Sequence, residues 1–164
     1  MSYERIAKLP VYRQAVALRT MSREIASFVT HNKDLLTLGN SNSLRDHIAD
    51  SLLTDAILIP QHIARAENSS SLAIRQRSVH FINVMTRNLY AYCKGLEKDG
   101  VREREYLDLL RKEVKRFRQS FKKWRKSVSW TYIFRRYCPP TSNNARVTSP
   151  SEQYLQTSIK TANR

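Results

Sequence analysis

Glycine is nearly missing from this chain, with three in 164 residues, and prolines number only five. So few breakers leave little room for the many tight turns of a β-sandwich or barrel, and no Gly-rich phosphate loop can be built. Cysteine is scarce too. Cys93 and Cys138 stand apart, with no CxxC pair and no disulfide framework. No apolar run approaches the roughly 18 residues that cross a bilayer. The opening "MSYERIAKLP" lacks the apolar core of a signal peptide. A cytoplasmic protein with reduced thiols and no membrane span is therefore expected. Acidic residues are the last shortage: 14 against 29 Lys and Arg, a net charge of +15.

Catalytic constellations are also absent. The four histidines, His31, His47, His62 and His80, include no Glu-x-x-His pair and no HExxH. His47 and Asp50 lie one turn apart and read as a surface contact. Ser120 and Lys123 match S-x-x-K by count, but the partner motifs of that enzyme class are missing. No catalytic residue, metal ligand or cofactor is assigned, and a non-enzymatic protein is expected.

What is present is helical periodicity. The first long helix reads from about Leu9 to Thr30. Pro10 sits in its first turn, and Val11, Ala15, Leu18, Ile25 and Val29 share a face that Ser22 interrupts. "NKDLLTLGNSNS" reads as a loop, and Ser43 as the next N-cap. The second helix runs from about Leu44 to Ala66, with an interior Pro60 that predicts a kink near Ala56 to Pro60. "ENSSS" connects, with a serine expected as N-cap, to a third helix from about Leu72 to Lys98. One stripe there is Leu72, Val79, Ile82, Thr86, Leu89, Cys93 and Leu96. Ile74, Phe81, Met85 and Tyr92 form a second stripe, which reads either as a wide core face or as a subunit interface. "KDG" is a helix stop at Gly100.

The fourth helix begins near Arg102 and carries the strongest pattern. Leu107, Leu110, Val114, Phe117, Phe121, Trp124 and Val128 step three, four, three, four without a miss, which specifies a bundle seam. The fold class expected is all-α, an antiparallel four-helix bundle over residues 1–137. From Trp130 "WTYIFRRYC" reads either as a continuation of the helix or as an alternating strand, and the alternation of Trp130, Tyr132 and Phe134 favours an extended or irregular piece. Residues 138–164 are rich in Ser, Thr and Asn and read as a flexible tail.

The charge is not evenly spread. Residues 1–100 hold 13 basic and 9 acidic residues, net +4, whereas residues 101–137 hold 13 and 4, net +9. "LLRKEVKRFRQSFKKWRKSV", residues 109–128, carries nine cations and one Glu. With its apolar stripe turned to the core, Lys115, Arg118, Lys122, Arg125 and Lys126 form a ridge, thickened by Arg111, Lys112, Arg116 and Lys123. Like charges so spaced repel by about a few tenths of a kcal/mol per pair. The face reads as a phosphate-binding surface, a solvated face or a basic helix on lipid; the narrow stripe speaks against lipid. Arg75, Arg77 and Arg87 of the third helix are further candidates. RNA or DNA, held through phosphates, is the expected partner, without base-specific readout. Trp130, Tyr132, Phe134 and Tyr137 could stack on unpaired bases or cover the bundle's end. The competing reading is an interaction bundle whose basic face docks an acidic protein surface.

Two stretches resemble a known family. "LPVYRQAVALRTMSREIA" is similar to the "L.VWQKA..L" opening of certain small four-helix bundle proteins. "LLTDAILIPQHIARAENSSS" is similar to their "LRRAAVSIPANIAEG" core, through Ile59-Pro60, Ile63-Ala64 and the polar turn. The family includes proteins encoded in intervening sequences of large ribosomal RNA genes and the accessory variability determinant (Avd) of diversity-generating retroelements. The chain departs from it at Tyr12, where the family has Trp, and at Arg65, Ala66 and Glu67, where the family's Glu-Gly is lost. The resemblance spans about residues 9–128. It implies a bundle that assembles as a pentamer, binds nucleic acid and partners a reverse transcriptase during mutagenic cDNA synthesis from template RNA. Ile74, Phe81, Met85 and Tyr92 would then join subunits, and five copies would carry about +75.

Overall fold

The computed structural model describes residues 3–33 and 35–137, with side chains for 4–33 and 36–128. It divides into two units, Met1–Ile133 and Phe134–Arg164, and the bundle is the first. Four long helices build it: α2 (Pro10–Val29), α4 (Leu44–Asn68), α5 (Leu72–Lys98) and α6 (Arg104–Tyr137). Two five-residue helices, α1 (Tyr3–Ala7) and α3 (Leu35–Gly39), were not expected. Each turns one large apolar side chain inward. Ile6 is buried from α1 and Leu38 from α3, so the segment expected as a loop is held by a core contact.

The long helices alternate in direction. Arg45 at the start of α4 reaches Asp99 just past the end of α5 at 2.7 Å. Glu97 near the end of α5 meets Arg111 early in α6 at 2.7 Å. Phe28 at the end of α2 lies against Tyr106 at the start of α6, with ring centroids 4.9 Å apart. All seven apolar residues of the α6 stripe are buried in one cluster with side chains of α2, α4 and α5. Trp124 adds a polar tie. Its indole N–H donates to Glu67 Oε1 at 2.7 Å, and Glu67 Oε2 accepts from Arg5 at 3.2 Å.

Helix ends follow the chain's few special residues. Pro10 starts α2 behind an extended Leu9, where its missing N–H costs nothing. α5 stops in a Schellman motif: Gly100 N–H donates to Glu97 O and Val101 N–H to Leu96 O. Gly100 takes φ +87°, and Val101 and Leu96 are both buried. α2 ends the same way, through His31 to Phe28 and Asn32 to Ser27. Here His31 at φ 55° stands where glycine would be easier.

Two expectations are corrected. Ser43 and Ser71 occupy the N-cap positions of α4 and α5, but neither side chain caps. Instead Ser41 Oγ accepts from Ser43 N–H, and Ser69 Oγ from Ser71 N–H. α4 includes Pro60 as an interior, buried residue, as the sequence reading placed it. The backbone of α6 stays helical to Tyr137 rather than turning extended at Trp130; no glycine or proline stands between Gly100 and Pro139 to stop it. The tail expected at 138–164 lies outside the described residues.

Asp46 secures the α2–α4 connection. It is 2% exposed and accepts hydrogen bonds from Lys33 Nζ and Ser41 Oγ, each at 2.5 Å. Those bonds, Lys33 first and then Ser41, hold its carboxyl below the ordinary 3.8 although burial opposes them. With the folded pKa below the unfolded one, the contribution is complete above pH 3.8 and vanishes as pH falls through the folded value. Asp46→Asn should cost about 1–3 kcal/mol at neutral pH. It should also flatten the acid limb of stability below that point, as urea unfolding at stepped pH would read. An acid limb identical to the unaltered protein's would remove Asp46 from this role.

Candidate nucleic-acid interface

The seam residues of α6 point one way, so its cations have to point the other. Arg118, Lys122, Arg125 and Lys126 are exposed, as are Lys112, Lys115, Arg116 and Lys123, while Phe117, Phe121 and Trp124 between them are buried. The exposed side facing α5 is not flat. A cavity of about 320 Å³ lies between the two helices. Five cations line it, Arg87 from α5 with Lys115, Arg118, Lys122 and Arg125 from α6, and none of its described lining residues is a carboxylate. A second hollow of about 290 Å³ shares Arg125 and adds Arg75 and Lys126, again without a carboxylate. Both hollows lie along the α5–α6 seam, termed the α5–α6 groove, and Arg125 belongs to both.

A low-lying groove lined by one sign of charge concentrates the field within it. Five cations gathered around one hollow repel one another, so an anion entering the groove gains attraction and relieves repulsion at once. Phosphate oxygens suit both the Arg forks and the Lys ammonium groups.

The other candidates fall elsewhere. Arg111 is paired to Glu97 at 2.7 Å and Asp108 at 2.8 Å; the Glu97 bond first, then that to Asp108, fixes its charge and raises its pKa. Arg116 meets the buried Glu113 at 3.2 Å. Lys112 and Lys123 are exposed on α6 outside the groove lining, and Arg77 is exposed on α5 outside it too. Arg75 donates from Nε to Ser69 O at 2.7 Å and lines the second hollow. The aromatics from Trp130 onward have no described side chains.

The second α5 stripe divides. Met85 is buried in the core cluster. Tyr92 is half-buried and donates its hydroxyl to Asp55 at 3.0 Å; burial first, then the Asp55 charge, pushes its pKa up to about 12. Ile74 and Phe81 stay exposed. Phe81 lies beside His62 at 5.2 Å.

Cys93 is buried, and burial pushes its thiol up to about 11, which leaves little thiolate for chemistry at neutral pH. Among the described residues no group of three or more His, Cys, Asp or Glu could hold a metal ion. No described helix is long and apolar enough to cross a membrane.

Tyr90, Asn83 and Gln119 also line the larger hollow and were not singled out from the sequence. Asn83, Arg87 and Tyr90 recur at four and three residues, the spacing of one helical face, so the pattern was there to read. Set against protein-family models, curated proteins and solved structures, the chain matches none of them.

Proposed function

We propose that this chain is a non-enzymatic nucleic-acid-binding protein that holds RNA or DNA by its phosphates in the α5–α6 groove. The observation that carries this reading is the meeting of Arg87, Lys115, Arg118, Lys122 and Arg125 around one hollow. A solvated helix face mixes both signs and gathers its acids beside its bases. Here the carboxylates nearest in sequence, Glu97, Asp108 and Glu113, are occupied with Arg111 and Arg116.

The biological setting rests on the resemblance around Ile59-Pro60 and the opening of α2. We read the chain as an Avd-type accessory of a cytoplasmic reverse transcriptase in a diversity-generating retroelement, assembling as a pentamer. Five copies of 19.2 kDa give 96 kDa, which a native mass measurement tests directly. A reverse transcriptase gene and a template repeat beside the coding sequence would support the setting; their absence would leave a nucleic-acid-binding bundle of another context.

Binding itself is tested by salt. Each neutralised phosphate adds about −0.7 to the slope of log affinity against log salt for a single strand. Five contacts make affinity for RNA fall about a hundredfold between about 50 and 200 mM salt. Fluorescence anisotropy with a labelled RNA would read this, and a salt-independent affinity would overturn the phosphate reading. A basic face dedicated to an acidic protein would instead keep its partner in the presence of competing RNA.

A further inference from the structure

The groove contains more than a phosphate track requires. Arg118 Cζ sits 5.8 Å from the centre of the Tyr90 ring, within cation–π range. Tyr90 is half-buried and packs against the core, so the ring is a fixed base for the guanidinium above it. Arg118 remains exposed on its outer side. Asn83 and Gln119 bring side-chain amides to the same hollow, and amides both donate and accept hydrogen bonds, as base edges do.

A site for bare phosphate has no use for a guanidinium set over an aromatic ring or for two amide-bearing residues. An unpaired nucleobase uses both, since bases stack on Arg planes and offer their edges to amides. The volume of about 320 Å³ falls in the range of small-ligand cavities, about 300–1,000 Å³. A base within a duplex is held in its stack and reaches such a hollow only by leaving it.

We infer that the α5–α6 groove is a single-strand site, in which an unpaired base stacks on Arg118 backed by Tyr90 while the flanking phosphates lie on Arg87, Lys115, Lys122 and Arg125. This rests on the phosphate reading of the same groove and narrows its ligand. Stacking needs only a π-face, so the preference is for strandedness rather than sequence.

The test compares an unstructured RNA of about 20 nucleotides, a blunt duplex of equal length and inorganic polyphosphate at one salt concentration. The single strand is expected to bind about tenfold or more tighter than the duplex. Tyr90→Leu keeps an apolar side chain against the core and is expected to lose about that tenfold for the strand, with polyphosphate binding unchanged. Tyr90→Phe is expected to retain the preference. Without any substitution, a photo-crosslinking 4-thiouridine strand is expected to attach to the peptides carrying Tyr90 or Arg118. Equal binding of strand and duplex with a steep salt dependence would overturn the single-strand inference and leave the phosphate reading standing. Crosslinks confined to peptides outside α5 and α6 would also overturn it. No binding of either nucleic acid would overturn both.

Discussion

Changing Lys115, Arg118, Lys122 and Arg125 together to Gln should lower affinity for a single-stranded RNA by two to three decades at about 0.1 M salt. The magnitude follows from counterion release. Three phosphate contacts at about 0.7 each reduce the salt slope by about 2.1, one decade of salt below 1 M converts that into a similar loss in log affinity, and the lost stack on Arg118 adds up to about a further decade. The direction for stability is different. The four side chains form three like-charge neighbours at steps of three, four and three along α6, each costing about a few tenths of a kcal/mol. Their removal stabilises the helix slightly and offsets the lost contact between Arg118 and Tyr90, worth about 0.5–1 kcal/mol at an exposed site. Gln also keeps a good helix former at each position. The expected result is therefore a large loss of binding and a shallower salt slope with an unchanged melting temperature. A variant that binds as before would place the nucleic acid on some other surface.

The second large effect lies on the opposite side of the same helix. Phe117 is fully buried and stacks on Phe121, with centroids 5.8 Å apart and planes at 18°. Phe117→Ala removes that contact and leaves a cavity, at about 3–5 kcal/mol. Against a total of about 5–15 kcal/mol that is a major fraction, and the melting temperature should drop by about 10–20 °C. The adjacent pair Leu109 and Leu110 gives the control. Leu110 is fully buried and Leu109 is 48% exposed. Leu110→Ala should cost about 2–5 kcal/mol and Leu109→Ala about 0.5 kcal/mol or less. Equal costs for the two would mean that α6 is rotated from the phase described, and its basic face with it.

That phase was the most legible feature of the sequence. Seven apolar residues at strict three-four steps allow only one buried side, and burial of all seven follows. The ends of α2, α4 and α5 were readable to within about two residues, because Pro10, Gly100 and the Ser-rich connector act locally. Less legible was anything set by distant partners. The short α1 and α3 have no helical period of their own and exist through Ile6 and Leu38 in the core. Continuation of α6 beyond Trp130 was hidden by a chance alternation of aromatics.

The candidate site was legible in kind more than in membership. Charge density marked α6, yet only the contact with Glu97 of α5 shows how fully Arg111 is occupied, whereas Arg116 pairs with Glu113 at a three-residue spacing that the sequence already carries. Arg87 and Arg75 join the groove because α5 runs antiparallel beside α6, which its sequence alone does not reveal. Tyr90 was passed over because a lone aromatic between two apolar stripes carries no signal until Arg118 is placed above it. The second α5 stripe illustrates the same limit. Its four members share a period, but Met85 enters the core and Tyr92 is engaged by Asp55, leaving Ile74 and Phe81 outside.

Lysine acetylation, with and without bound RNA and read residue by residue by mass spectrometry, tests the groove most directly. With RNA present, Lys115 and Lys122 should be shielded by about tenfold, the protection expected when most of the protein is in the complex. Lys8 and Lys33, which lie outside the groove, should react at their free rates. Shielding of Lys8 or Lys33 while Lys115 and Lys122 react unchanged would contradict the assignment of the α5–α6 groove as the nucleic-acid site.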